Sequence, residues 1–244
     1  MEFLILASAS AQRKLILEQM SLPFIIIPSH AAEVHITGDP VLDVQQIASC
    51  KVSACLSRLK NRMMAKCEHV PPITPSNMGN MDFGDGGIES LAAELATSNH
   101  LWILGADTII ELDGRIMGKP ASADEARTML SSLSAKEHRV LTGVSLLKAS
   151  IENPASSKST LVIDKPKFAT ECDVTLVRFS KLSNDEIEWY LRSCEWRDAA
   201  GSYKIQQKGA CLVESIFGSY SNVVGLPIRR IYGMLLEQNF PLLY

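Results

Sequence analysis

The chain has 244 residues, one large or two small domains at about 150 residues per domain. Hydrophobic residues make up 46% and charged residues 21%, which excludes a disordered chain and allows a sizeable core. Lys+Arg 24 against Asp+Glu 27 gives a formal charge of -3, which excludes a generally basic nucleic-acid binder but leaves room for a local cationic pocket.

No segment offers the roughly 18 consecutive apolar residues of a spanning helix, so no membrane partner is expected. Met1 to Leu6 lacks a basic stretch and turns polar at Ser8, unlike a secretory signal. Cys50, Cys55, Cys67, Cys172, Cys194 and Cys211 show no CxxC spacing and no neighbouring His. They read as free thiols of a cytoplasmic protein, and the dispersed His argue against zinc.

Phe3 to Leu6 is a short strand, and Ala7-Ser8-Ala9-Ser10 a polar turn into a helix with Ser10 as N-cap. Phe24 to Ile27 is a second strand, stopped by Pro28. From Asp39 to about Leu59, apolar residues recur at helical spacing, and Lys51 lies on this helix. Between about 60 and 100, Pro and Gly crowd with Asn, Ser and Asp, predicting a loop insertion with a short helix near Ile88 to Ala96. Leu101 to Leu104 reads as a buried strand ending in Gly105-Ala106-Asp107-Thr108, and Asp113-Gly114 as a hairpin turn. Ser122 with Glu125, and Ser183 with Glu186, are capping boxes opening two helices. Val140 to Leu147, Ala169 to Phe179 and Cys211 to Ile216 are strands, with a second loop insertion at about 150–166 and Pro227 opening the last helix. Alternating strands and helices with hairpins predict an α/β class with a mixed sheet. Because the pattern resumes after each insertion, a single domain over 1–244 is expected.

There is no GxxxxGK[ST], no GxGxxG after a strand, no GxSxG and no HExxH, which disfavours P-loop kinases, Rossmann dehydrogenases, α/β-hydrolases and zincins. What remains is polar residues near strand ends. Ser8, Ser10, Arg13 and Lys14 at a helix start could cradle phosphate, although Ser caps and a first-turn Arg are more often only capping and a solvated face. Asp107 after a buried strand suits a hard cation or water activation, or equally a turn cap. Glu33 is a second metal ligand or a loop charge, and Lys119 a cation on a rigid turn. Gln206 has the amide that reads a base edge.

Order and spacing add what the single residues lack. Leu6 to Lys14 (LASASAQRK), Gly105-Ala106-Asp107-Thr108, Asp113-Gly114, Gly118-Lys119-Pro120, Thr142-Gly143-Val144, Ala200-Gly201-Ser202-Tyr203, Ile205-Gln206 and Gly218 to Pro227 (GSYSNVVGLP) closely resemble the Maf family of nucleotide pyrophosphatases. The resemblance covers nearly the whole chain outside the two insertions. It implies a mixed, twisted sheet flanked by helices, with two lobes around a nucleotide-binding cleft, similar to inosine triphosphate pyrophosphatase. It further implies hydrolysis of a nucleoside triphosphate to monophosphate and pyrophosphate with a divalent cation, Mg²⁺ or Mn²⁺, and a homodimer. By the same resemblance Asp107 is the proton acceptor, Ser8, Ser10, Arg13, Lys51 and Lys119 bind phosphate, and Glu33 and Asp107 hold the metal. Gln12, Thr108 and Gln206 bear on specificity, and Thr108 with Gln206 is similar to the dTTP/UTP branch. Three positions depart from the family pattern: Ser-Pro-Arg-Arg is here Ser10-Ala11-Gln12-Arg13, and Asp-Glu is here Ala32-Glu33. Losing one basic and one acidic group leaves an alternative open, a nucleotide-binding regulator of cell division or septation with weak or no catalysis.

Overall fold

A computed structural model describes residues 2–33, 37–64, 95, 98–152 and 162–242. Among them are strands β1 (Leu4–Leu6), β2 (Phe24–Ile26), β3 (His100–Leu112), β4 (Arg115–Met117), β5 (Glu137–Glu152), β6 (Val162–Phe179) and β7 (Val213–Phe217). The helices are α1 (Ala11–Gln19), α2 (Pro40–Met64), α3 (Ala123–Leu133), α4 (Asn184–Leu191), α5 (Tyr220–Val224) and α6 (Ile228–Glu237). The strands form one mixed sheet in the order β2-β1-β3-β5-β6-β7, with β4 also paired to β3. β1 is parallel to β2 and β3, and every other pair is antiparallel.

Two expectations about β3 and its neighbours change. Gly105 to Thr108 is not a strand end: β3 continues to Leu112, because β5 pairs with it from His100 through Glu111. Likewise β5 runs to Glu152 and β6 starts at Val162, paired Ser150 to Asp164 and Glu152 to Val162, so much of the expected 150–166 loop is sheet. The expected helix near Ile88 to Ala96 lies outside the described residues except for Leu95, which is helical and buried. Pro227 caps α6 from outside rather than occupying its first position, and the strand expected from Cys211 begins at Val213 after a 3₁₀ turn. Ser183 and Glu186 form both halves of a capping box. At α3 the Glu125 side chain instead accepts from the N–H of Ala121, one residue before the cap. Asp113 and Gly114 both have positive φ, as a two-residue hairpin requires.

The two faces of β3 carry different partners. Odd-numbered residues face α2: Leu101 and Ile103 pack with Val52, Cys55 and Leu59, and Ile109 packs with Val44. Even-numbered residues face the other helices. Trp102, Leu104 and Ala106 pack with Leu17 of α1 and with Ile231 and Leu235 of α6. Farther along, Ile110 and Leu112 pack with Leu130 of α3 and Tyr190 of α4. The core on this even face thus divides into two clusters, one on each side of Thr108. α2 lies close against the sheet because Gly105 and Gly143 have no side chain. A Cβ on Gly143 would sit 2.2 Å from the Val44 carbonyl oxygen, and one on Gly105 would sit 2.7 Å from that of Ala48.

Candidate active site

One edge of β3 is paired without a break to β5. The opposite edge pairs with β1 over Trp102–Leu104 and with β4 over Ile110–Leu112. Between these partners, no described strand covers residues 105–109, and Asp107 and Thr108 lie in this gap. Successive strand side chains point to opposite faces. Asp107 therefore turns toward α2 and Thr108 toward α1 and α5, and the open edge makes both reachable from one cleft.

On the α2 side, the Lys51 ammonium donates to Glu33 Oε1 at 2.6 Å, to Asp107 Oδ1 at 2.7 Å and to the Ala106 carbonyl at 3.3 Å. These contacts use all the protons of the ammonium. Lys51 and Asp107 are buried at 5% and 4% exposure, and the close passage of α2 over Gly143, which is paired to Asp107, lets Lys51 reach it. Lys51 is thus a tie between two carboxylates rather than a free cation for phosphate. Lys119 reaches Glu33 Oε2 at 3.4 Å from an exposed position. Partial burial pushes the Glu33 carboxyl up, but hydrogen bonding and charge from Lys51, aided by Lys119, outweigh it and hold the pKa at about 2. Asp107 Oδ2 has no hydrogen-bond partner among the described residues.

On the other face, Arg13 is 8% exposed and held by neutral groups. Its Nε donates to the Gly225 carbonyl at 2.9 Å, Nη1 to Ser8 Oγ at 3.1 Å and Nη2 to Thr108 Oγ1 at 3.1 Å. Thr142 donates its one proton to the Asn222 carbonyl at 3.0 Å, so Thr108 donates to Thr142 across 3.0 Å. Burial pushes the Arg13 pKa down while Asp107 and Glu33 push it up, and a guanidinium stays charged at any ordinary pH. Gly225 has φ +113°, and a Cβ there would crowd Thr108 Oγ1 at 3.3 Å, so glycine suits the carbonyl that holds Arg13. Ser10 caps α1 by accepting from the Arg13 N–H, as its position before the helix predicts. The Ser10 N–H in turn donates to Ser8 Oγ.

The cleft has two confluent halves. Ala7 to Arg13, Pro28 to Ala31, Glu33, Lys51 and Lys119 line the polar half, under the N-terminus of α1. The other half is lined by Asp107, Thr108, Ile110, Val140, Tyr203, Gln206 and Val223 to Gly225 and mixes polar with apolar surface, and Arg13, Glu33 and Lys119 line both halves. Gln12 lines both halves. Gln206 is half-buried and makes no hydrogen bond among the described residues. Tyr203 is braced from behind by His138, whose Nε2 lies 2.8 Å from the phenol oxygen and whose pKa burial lowers to about 4.

The structure therefore gathers the residues singled out in the sequence into one cleft, except Lys14, which pairs with Glu18 along α1 outside it, and two of them take altered parts. Lys51 binds carboxylates, and Thr108 holds Arg13. Sequence reasoning missed Thr142, Asn222 and Gly225, which position Arg13, and Asp198 and Lys204, which line both halves of the cleft. The GSYSNVVGLP run did flag Asn222 and Gly225, without a role. Two oxygen donors, Glu33 and Asp107, line the cleft where its halves meet, and the described residues contain no cluster of three or more His, Cys, Asp or Glu. Such a pair fits Mg²⁺ or Mn²⁺ shared with a phosphorylated ligand, since Mg²⁺ takes one or two carboxylates plus substrate oxygens.

A family model described as Maf-like protein matches residues 3–238. The chain is 32% identical over 243 residues to the dTTP/UTP pyrophosphatase of Symbiobacterium thermophilum, covering 99% of this chain and 97% of that protein. To the dTTP/UTP pyrophosphatase of Halalkalibacterium halodurans it is 37% identical over 240 residues, 98% of each chain. To that of Pyrococcus furiosus it is 46% identical over 133 residues, 54% of this chain and 62% of that protein.

Proposed function

The chain belongs to the Maf-like protein family, and we propose that it is a nucleoside triphosphate pyrophosphatase acting on dTTP, UTP or modified pyrimidine nucleotides. The observation that carries this reading is the pairing, in one cleft, of a cation held only by neutral groups, Arg13, with two carboxylates tied by one lysine. Arg13 keeps a full positive charge for phosphate, and the α1 N-terminus and the Ser8 hydroxyl add N–H and O–H donors. The half around Tyr203, Ile110 and Val223 takes the base, with Gln206 and Gln12 able to hydrogen-bond its edge.

Asp107 Oδ2, unpartnered among the described residues, accepts a proton from water. The water oxygen bonds to the α-phosphorus, and the bond to the α–β bridging oxygen breaks. That oxygen keeps the electron pair and leaves as part of pyrophosphate. Lys51 fixes Asp107 Oδ1 and Glu33 Oε1 so that both carboxylates stay oriented. Glu33 and Asp107 would hold Mg²⁺ or Mn²⁺, which supplies charge neutralisation at the phosphate oxygens. We take the chain as a single domain, because strands on both sides of residues 65–94 join one sheet, and as a cytoplasmic homodimer. No helix among the described residues is long and apolar enough to cross a membrane.

The test is pyrophosphate release from a panel of canonical and modified triphosphates with Mg²⁺ or Mn²⁺, comparing the wild type with Asp107→Ala. Wild-type release of pyrophosphate with a pyrimidine preference, lost in the variant, supports the reading. Nucleotide binding without turnover in the wild type replaces it with that of a regulator.

A further inference from the structure

Among the charged residues lining the cleft, two are not used by the chemistry above, Asp198 and Lys204, and each of them lines both halves. Lys51 is saturated by two carboxylates and a carbonyl, and Lys119 is paired with Glu33. Lys204 makes no side-chain hydrogen bond or ion pair among the described residues. Its backbone, in contrast, is clamped. The N–H donates to the hydroxyl of the fully buried Tyr190 at 3.1 Å, and the carbonyl accepts from the Gln207 N–H at 3.3 Å. A Cβ on Gly209 would approach that carbonyl oxygen to 2.5 Å, so the turn closes tightly over glycine. The preceding segment is held in backbone conformations that side chains seldom adopt, with positive φ at Cys194, Asp198, Gly201 and Ser202. A fixed backbone with a free cation at its end is the arrangement expected of a ligand-binding lysine, not of a structural one.

The position selects the ligand atom. In a triphosphate whose base lies in the half around Tyr203 and Gln206 and whose outer phosphates lie under α1, the ribose and α-phosphate occupy the junction of the halves. Lys204 is the only lysine among the described residues that lines both halves without a bonded partner. We propose that Lys204 binds the α-phosphoryl oxygens of the nucleotide, opposite Arg13, and so acts on the phosphorus that water attacks. This rests on the pyrophosphatase reading for its orientation. A lysine suits the task, since its ammonium is a point charge on a flexible stem that can follow the oxygens as charge builds on them.

The test separates the α-phosphate from the outer phosphates. Binding of UMP and of inorganic pyrophosphate is measured by calorimetry for the wild type, Lys204→Gln and Lys204→Arg, alongside kcat and KM for UTP. One charge-assisted hydrogen bond corresponds to about a tenfold to hundredfold change in affinity. UMP affinity should fall by that factor in Lys204→Gln and largely return in Lys204→Arg, while pyrophosphate affinity stays level. For UTP, kcat should fall as well as KM rise. Unchanged UMP binding in Lys204→Gln overturns the proposal, and so does equal weakening of UMP and pyrophosphate. A wild type that never releases pyrophosphate, yet loses UMP affinity on Lys204→Gln, refutes the enzymatic reading and keeps the lysine in place.

Discussion

Lys51 and Arg13 are both buried cations within reach of one cleft, yet their surroundings give them opposite uses. Lys51 has two carboxylates, so the trio Lys51, Asp107 and Glu33 carries net negative charge and attracts a cation. Arg13 has a carbonyl and two hydroxyls, so its charge is uncompensated at contact range and attracts an anion. The two sit on opposite faces of β3, one residue apart at Asp107 and Thr108. A magnesium-complexed triphosphate needs both signs close together, and a strand supplies them by alternation.

The sharpest way to break this contrast is at Asp107. Asp107→Asn keeps an oxygen for Lys51 but loses the proton acceptor, and turnover should fall by about 10²–10⁴-fold with thermal stability nearly unchanged, read by pyrophosphate release and melting. Lys51→Met leaves a buried carboxylate without its partner. Turnover should be lost together with about 3–5 kcal/mol of stability by denaturant unfolding, a cost Asp107→Asn does not share. On the anion side, Arg13→Lys keeps the charge but cannot satisfy three diverging acceptors. KM should rise by about tenfold, with a smaller change in kcat. Thr108→Val removes one acceptor from Arg13 and should raise KM about fivefold, the order of one hydrogen bond's net worth. If it instead changed base preference at constant KM, Thr108 would be a reader of the base and not a support for Arg13.

The smallest effect is on pH. The folded pKa of Glu33, about 2, lies below its ordinary value of 4.5. The stability it adds is present above about pH 4.5 and is lost as pH falls toward 2. Because Glu33 is 41% exposed, that contribution is modest. Unfolding of the wild type and Glu33→Gln should differ at pH 7, and the gap should narrow below about pH 4.5 and close only near pH 2. A gap that stays undiminished down to pH 2 would mean Glu33 acts through packing.

Much of the site was legible because its residues lie in short runs whose order is distinctive, from Ser8 and Arg13 to Asp107 and Lys119. The periodicity of 39–59 placed Lys51 on a helix, but not its partners. That required knowing that glycines at 105 and 143 let the helix settle onto the sheet. Reading Gly105 to Thr108 as a strand end followed from its small and polar residues. Continuous pairing to β5 overrode that local signal, and what ends there is the neighbour, β1. Lys204 and Asp198 were invisible for a different reason. They reach the cleft through a turn with four left-handed residues between Cys194 and Ser202, three of them not glycine, a path no propensity would forecast.

The uncovered edge of β3 has a consequence for amide exchange. Leu104 bonds toward β1 through its carbonyl, so Ala106 and Thr108 share that direction, and the Ala106 carbonyl indeed meets Lys51. The amides of Gly105 and Asp107 point the other way, into the ladder with β5. In the free protein, deuterium should enter at Ala106 and Thr108 well before their immediate neighbours, a two-residue rhythm in the middle of a thirteen-residue strand. Ligand filling the gap should slow those two amides and leave the others as they were.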